Sequence, residues 1–204
     1  FTIENIETAK INANTAQIRL EIATPENIDI TDIEIENMDV SIQSIQKSNN
    51  NTYINLMAEA NKFYDNYRLS EIKYIENNEE KVENMEIQIQ LILYKEIYTF
   101  EDWQNIEGNY QNYKLMSDID FSGKQNINTG FSVGRFESEG TKHRISNITI
   151  QSENITNIIQ DVQVEIKNIV FENIVLEDTN PSTSAKYNFG IILYNFGLID
   201  NVEF

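Results

Sequence analysis

Two aspartates two residues apart open the run Asp118-Ile-Asp120-Phe-Ser122-Gly123. Carboxylates at alternate positions, followed by Ser and Gly, begin the calcium-loop pattern D-x-D-x-[DNS]-G, whose oxygen ligands suit a hard cation. A complete loop of that kind needs a bidentate acid at its twelfth position, and Thr129 stands there. Asp118 and Asp120 are therefore metal (calcium) candidates without a full ligand set. Ile119 and Phe121 also fit an alternating strand that turns both aspartates outward. Glu137 and Glu139 flank Ser138; paired acids about 5–10 Å apart in a cleft are what glycoside hydrolysis uses, whereas two glutamates at a hairpin tip are simply solvated. His143 is the one histidine. The zinc-peptidase helix H-E-x-x-H needs two, so it cannot occur in this stretch, and His143 is expected to be a structural residue ahead of a strand. With no cysteine there is no disulfide, thiolate metal site or cysteine nucleophile. No catalytic residue and no cofactor is assigned.

Net charge is −18, from 33 acidic and 15 basic residues. Phosphate backbones and anionic lipid are bound by clustered Lys and Arg, so nucleic acid is excluded as a partner. No apolar run approaches the 18 residues or more of a membrane span, and no membrane insertion is expected. Heavy use of Ile, Asn, Lys and Glu suits an AT-rich bacterial genome. The chain begins at Phe1 and stops at Phe204, which reads as a piece of a longer parent with covalent continuation.

Glycine divides the chain, all seven lying at or after Gly108. Turns before that point must use Asn and Asp, which tolerate the left-handed region best after Gly. In residues 1–97 apolar and polar residues alternate through Ile18–Ile22, Ile28–Ile35, Ile54–Ala58 and Ile87–Leu93, with a slip at Thr31-Asp32 that predicts a bulge. Period two is the mark of half-buried antiparallel strands. Six or seven such strands in this length predict an immunoglobulin-like (Ig-like) β-sandwich. Leu56–Tyr67 leaves a short helix open as an alternative, and Phe63-Tyr64-Asp-Asn-Tyr67 is either a binding patch or core.

From residue 98 the grammar changes. Phe100, Trp103 and Ile106 fall at helical spacing, Thr99 can cap the start with Glu101 and Asp102 in the first turn, and Gly108 can end the helix. Strands are predicted at Tyr113–Met116, Ile119–Phe121, Phe131–Phe136, Ile145–Ile150 and Asn157–Ile159, with turns at Ser122-Gly123, Gly140 and Asn180-Pro181.

One six-residue phrase, apolar-x-Asn-apolar-x-apolar, returns as Ile145–Ile150, Ile166–Phe171 and Ile199–Phe204, at offsets of 21 and 33 residues. A short strand recurring at this interval predicts stacked coils. The apolar positions would face a common core, and the Asn would sit at the bend, bonding to the next coil. Ile35–Val40 and Val82–Ile87 match the phrase too, so only the later copies, with their glycines, are taken as rungs.

Tyr98-Thr-Phe-Glu-Asp-Trp103, then Tyr113-Lys-Leu-Met-Ser-Asp-Ile-Asp-Phe121, Gly130-Phe131, Gly134-Arg-Phe136 and His143-Arg-Ile-Ser-Asn147-Ile148-Thr-Ile150 follow in order. This series resembles the entry of a right-handed β-helix in bacterial surface proteins. Phe189–Val202, with Asn195, Gly197, Ile199, Asn201 and Val202, looks like the GLUG motif, departing from it at Phe196. The arrangement is similar to the non-catalytic region upstream of the catalytic domain in the IgA-specific zinc metallopeptidase family, and to GLUG-bearing adhesins. The resemblance covers residues 98–204 and implies an all-β chain: a sandwich at 1–97, then at 98–204 the start of a right-handed parallel β-helix with a short capping helix. It implies secretion to a Gram-positive cell surface, a role in virulence, and a host protein or glycan as ligand. The alternative functions are an adhesin stalk without a peptidase domain, and a carbohydrate-active β-helix enzyme. The enzyme would need a groove lined by acids and bases, and the bases here are few: Lys114, Lys124, Arg135, Lys142 and Arg144.

Overall fold

A computed structural model describes residues 1–152, 156–179 and 189–204. Among the described residues the chain is all-β apart from one short helix, and it separates into two compact units, Phe1–Leu93 and Tyr94–Phe204. The division falls a few residues before the 97/98 boundary read from the sequence, because Lys95–Ile97 pairs with the second unit's sheet.

The first unit holds seven strands: β1 (Thr2–Lys10), β2 (Thr15–Ala23), β3 (Ile28–Ile35), β4 (Met38–Ser48), β5 (Asn51–Ala60), β6 (Asn66–Glu76) and β7 (Glu79–Gln90). They form two antiparallel sheets, ordered β1-β2-β5-β4 and β3-β6-β7. The alternation seen in the sequence becomes burial. Ile18, Leu20 and Ile22 of β2 meet Ile54 and Leu56 of β5, and Ile33, Ile35, Leu69, Ile72 and Ile89 complete one apolar cluster. Each such side chain contributes about 1.5–3 kcal/mol when fully buried. The register of β3 slips between Ile30 and Asp32, where the sequence slips. The tight turns use left-handed asparagines, Asn37, Asn49, Asn77 and Asn78, in place of glycine. No helix forms in Leu56–Tyr67; β5 runs to Ala60, because its alternate residues pair with β2 and β4 on both sides. Tyr67 is buried, while Phe63 and Tyr64 pack partly buried against the same core. The Tyr67 hydroxyl donates to the Lys62 carbonyl at 2.9 Å and accepts from the Tyr64 amide at 3.1 Å. Burial pushes its pKa up to about 12.

The second unit begins with β8 (Lys95–Ile97), α1 (Phe100–Gln104), β9 (Gln111–Leu115), β10 (Ile119–Asp120), β11 (Phe131–Ser138) and β12 (His143–Ser146). It continues through β13 (Thr149–Ser152), β14 (Thr156–Lys167), β15 (Ile169–Glu172), β16 (Val175–Asp178), β17 (Phe189–Asn195) and β18 (Leu198–Asp200). Every strand pair among its described residues is parallel. The chain passes from a large sheet (β8, β9, β11, β14, then β17 with β18) to a second (β10, β12, β15) and a third (β13, β16), and returns to the first. Successive circuits therefore lie rung on rung.

Helix α1 starts as expected. Thr99 accepts from the Asp102 amide, and Asp102 bonds back to the Thr99 amide, forming a capping box. It ends earlier than expected, at Gln104 with Asn105 as its cap. Gly108, at φ +72°, makes a later turn instead. The terminal carbonyls of the helix are met from across the fold: Asn128 Nδ2 donates to the carbonyls of Trp103, Gln104 and Ile106 at 3.3, 3.4 and 2.9 Å. Trp103 drops into the core with ring centroids 5.3 Å from Phe121 and Phe131 and 5.9 Å from Phe136. Its indole N–H donates to the Asn128 carbonyl at 2.9 Å.

The predicted Ile145–Ile150 strand is two strands, β12 and β13, broken at Asn147, whose φ of 59° turns the chain. The expected Asn157–Ile159 strand extends to Lys167. The turn expected at Asn180-Pro181 lies outside the described residues. The repeat needs a larger correction. Ile145–Ile150 does not stack on Ile166–Phe171. Ile145 pairs with Phe171, and Asn147 bonds Asn173 at a separation of 26 residues. Its true counterpart is an overlapping copy of the phrase, Phe171-Glu-Asn173-Ile174-Val-Leu176. The second and third copies do stack, at 33 residues: Ile166 on Ile199, Asn168 on Asn201, and the Phe171 ring on Phe204 with centroids 5.7 Å apart. The phrase thus marks two different bends of the circuit.

Candidate functional site: the faces and last rung of the parallel stack

The polar ladders along the flanks of the second unit present themselves as its candidate functional surface. The ladders arise because parallel in-register strands place like positions above one another. At one bend Asp120 Oδ1 accepts from Asn147 Nδ2 at 2.9 Å, and Asn147 Oδ1 accepts from Asn173 Nδ2 at 3.1 Å. At the other, Asn168 Oδ1 accepts from Asn201 Nδ2 at 2.7 Å. Asn147, Asn168, Asn173 and Asn201 all have φ near +55°. One residue type supplies both the left-handed bend and the bond between circuits.

This sets two substitutions apart. Asn147→Ala loses the amide bonds and also incurs the left-handed strain of about 1–2 kcal/mol, while Asn147→Gly loses only the bonds. The alanine variant is expected to be less stable than the glycine variant by about 1 kcal/mol in urea melts followed by Trp103 fluorescence. Equal loss would mean the bend is not what the asparagine supplies. Trp103 is the only tryptophan, so this signal reports the second unit.

Charge forms a second ladder on the large sheet. Successive rungs read Glu96, Lys114, Glu137, Lys167, Asp200. Lys114 Nζ lies 3.3 Å from Glu137 and 2.6 Å from Glu139, and 4.7 Å from the Tyr94 ring centroid. Lys167 Nζ lies 3.2 Å from Asp200. Arg135 bonds Glu165 at 2.9 Å and the Ser132 hydroxyl donates to Asp161 at 2.7 Å on the same sheet. On the third sheet Gln151 Nε2 donates to Glu177 at 2.7 Å. These ladders engage most of the acids and bases singled out from the sequence. Glu137 and Glu139 converge on a lysine instead of a cleft.

Asp118 Oδ1 accepts from the Arg144 amide at 2.9 Å and lies 3.2 Å from His143 Nδ1. Asp120 Oδ1 also accepts from the amide and hydroxyl of Ser122 at 2.9 and 2.7 Å. Both carboxylates thus tie neighbouring strands. Among the described residues no three His, Cys, Asp or Glu side chains converge to hold a metal ion. His143 is the first residue of β12, ahead of its rung.

Bonding to the charged form depresses the carboxyl groups of Asp118, Asp120 and Glu203. The Arg144 amide, with His143, lowers Asp118; the Asn147 amide, with Ser122, lowers Asp120; and the Lys142 ammonium, with which it bonds, lowers Glu203. A folded-state pKa below the unfolded value means that the folded protein binds these protons less readily. Their contribution is whole above about pH 4.5, and is lost as pH falls through the depressed values. Urea midpoints from Trp103 fluorescence should therefore drop steeply below about pH 4, and Asp118→Asn with Asp120→Asn should flatten that slope. An unchanged slope in the double variant would show that these bonds do not couple to folding.

The last rung differs from the rest. Phe196, Leu198 and Phe204 are 68%, 58% and 68% exposed, and Tyr194 and Ile199 are nearly half exposed. Ile191, Ile192, Leu193, Asn195, Ile199 and Phe204 line an open concavity of about 330 Å³. Gly197 lets this rung close on its neighbour: a Cβ there would lie 2.3 Å from the Val164 carbonyl oxygen. The ladders and the 26-residue register were not read from the sequence, although the overlapping phrase at Phe171–Leu176 carried the signal for the latter.

The class defined by these observations is an all-β chain with an antiparallel two-sheet unit and a unit of stacked parallel rungs. Comparison of the chain with family models, curated proteins and solved structures finds no match. Among the described residues no helix is long and apolar enough to cross a membrane.

Proposed function

We propose that this chain is a non-catalytic recognition and spacing segment of a secreted bacterial cell-surface protein, built from an Ig-like sandwich and the opening of a right-handed β-helix. The sandwich reading is supported by the strand order, β1-β2-β5-β4 against β3-β6-β7, which corresponds to strands A-B-E-D and C-F-G of immunoglobulin constant domains. Tyr67 supports it too. It stands at the start of β6, the sixth strand, with its hydroxyl bonded to the backbone five residues upstream, as in the tyrosine corner of that fold. The β-helix reading is supported by the three-sheet circuit and the capped first turn, and right-handedness by the strong chiral preference of parallel crossover connections.

The observation that carries the functional reading is the engagement of acids and bases in cross-rung ladders: Lys114 with Glu137 and Glu139, Asp120 with Asn147, Arg135 with Glu165. Side chains so held stiffen a spacer and are not poised for proton transfer. Together with the resemblance of residues 98–204 to the region upstream of zinc metallopeptidase domains, this supports a role in presenting or positioning. The test is to incubate the purified chain with immobilised host glycoproteins and soluble polysaccharides. Retention without new peptide termini or reducing ends is the expected result; turnover of any substrate overturns the non-catalytic reading.

A further inference from the structure

In the first unit the four-stranded sheet buries its isoleucines on one face and sets polar residues on the other. One cross-strand row of the polar face reads Glu7, Arg19, Asn55, Ser44. Between Ile42 and Ser44 the register of β4 slips at Gln43, a bulge of the kind that re-aims a side chain. Glu7, Gln17, Arg19, Gln43 and Asn55 together line a concavity of about 380 Å³, within the range of about 300–1,000 Å³ for small-ligand clefts. The hydrogen bonding of this face is uneven. In the next row Glu21 is engaged, accepting from Asn51 Nδ2 at 2.8 Å and from the Tyr53 hydroxyl at 2.9 Å. In the concavity Asn55 Nδ2 donates to the Ser44 hydroxyl at 2.8 Å and Gln43 Nε2 to the Ser41 hydroxyl at 2.9 Å, so each keeps its amide oxygen as an acceptor. Arg19 lies 3.7 Å from Glu7, beyond hydrogen-bond length, with its guanidinium 5.5 Å from the Tyr53 ring centroid. Among the described residues neither the Arg19 nor the Gln17 side chain makes a hydrogen bond. The ring steadies the guanidinium while its five N–H donors stay available.

We propose that this concavity binds a short uncharged saccharide, which names the ligand class for the recognition reading above and rests on it. Arg19 and the Gln17 amide donate to the sugar oxygens, while the Glu7 carboxylate and the amide oxygens of Gln43 and Asn55 accept from its hydroxyls. Sugar hydroxyls both donate and accept, and so match a lining in which donors and acceptors alternate within one cleft. The single cation and single anion of the lining cancel, and the chain's net charge of −18 disfavours an anionic ligand. A peptide strand fits less well. The strands that supply Gln17, Arg19 and Asn55 are β2 and β5, which are paired on both sides and have no main-chain groups left for strand addition. A closely packed protein partner is also disfavoured, since it would take the loosely paired charges of Arg19 and Glu7 out of water.

The test passes the whole chain over an array of immobilised neutral oligosaccharides (hexose and N-acetylhexosamine chains), with sialylated and sulfated counterparts beside them. Retention on one or more neutral chains is expected, with a dissociation constant of about 1 mM or below. Arg19→Ala should weaken that binding about tenfold or more, since it removes bonds from a charged donor. Gln17→Ala should weaken it less, and Arg19→Lys should not restore it, because the ammonium lacks the planar fork. Arg19 and Gln17 are exposed, so these variants are expected to fold. Lys73→Ala, on the other sheet, is the control that leaves binding unchanged. An array silent to every neutral chain, retention on the anionic chains alone, binding indifferent to Arg19→Ala, or retention on glycoproteins that survives removal of their glycans would each overturn the proposal. If the Arg19→Ala protein is retained on host glycoproteins as well as the unaltered chain is, this site fails and the recognition reading stands. If neutral chains bind through Arg19 but no host glycoprotein is retained, the site stands and host recognition fails.

Discussion

Trp103→Ala is expected to cost the second unit about 3–5 kcal/mol, the range for removing a fully buried large aromatic side chain. Trp103 is wholly buried and is the hub at which Phe121, Phe131 and Phe136 meet edge to face. Its indole N–H also satisfies the Asn128 carbonyl, while the Asn128 amide closes the C-terminus of α1. Removing the ring therefore opens a cavity, leaves a carbonyl without its donor, and loosens the helix over the first rung. Since a domain has about 5–15 kcal/mol in all, the loss is a large fraction of the total. In a unit of this size it should lower the melting transition by more than about 10 °C. Calorimetry is the suitable measurement, because the substitution removes the fluorescent probe. The first unit has a separate core, from Ala16 to Leu93, and its transition should stay where it was. A shift of both transitions, or of neither, would show that Trp103 is not the centre of an independent core. Trp103→Phe should recover part of the loss.

Gly197→Ala is the second large effect, and it depends on backbone proximity. The glycine separates β17 from β18, and a Cβ there would meet the oxygen, carbon and nitrogen of Val164 at 2.3, 2.4 and 2.9 Å. These are main-chain atoms in the middle of β14 and cannot swing aside, so the last rung must move away. Overpacking of this kind costs about 1–3 kcal/mol or more. The expected result is a lower urea midpoint by Trp103 fluorescence and rapid proteolysis after residue 196. Gly140→Ala is the control. It has positive φ but nothing within 4 Å of its added Cβ, so it incurs only the left-handed strain of about 1–2 kcal/mol and should leave the last rung protected. Equal protease sensitivity in the two variants would refute the close-approach account.

Where a residue's own conformational limits or periodicity decide the outcome, the sequence was sufficient. Alternating isoleucines in Ile18–Ile22 and Ile54–Ala58 became the two faces of paired strands, because side chains one apart must point to opposite sides of a sheet. The glycine-free first half turned on left-handed asparagines, since few other residues tolerate that region. The start of α1 was legible in Thr99 and Asp102, which cap within four residues of chain. What failed was everything that depends on which rung lies above which. The sequence spaced the phrase at 21 and then 33 residues. The structure uses 26 and 33, because the first two copies lie at different bends and the counterpart of the first, Phe171–Leu176, overlaps the end of the second. The end of α1 was misplaced for a related reason: its carbonyls are met by Asn128, distant in the chain, and not by a local glycine.

The sequence by itself therefore determined that the chain is all-β, that it has two compositions of turn, and that asparagine and isoleucine recur with a strand's spacing. Only the tertiary structure decided the register of the stack, and with it the alternation Glu96, Lys114, Glu137, Lys167, Asp200, which no local pattern reveals. Parallel rungs bring together residues some twenty to thirty positions apart, and the loop lengths between them differ from circuit to circuit. The pairing is set by which stacking buries the isoleucine and phenylalanine side chains together while placing opposite charges in line, a choice made by the whole unit and not by any one of its strands.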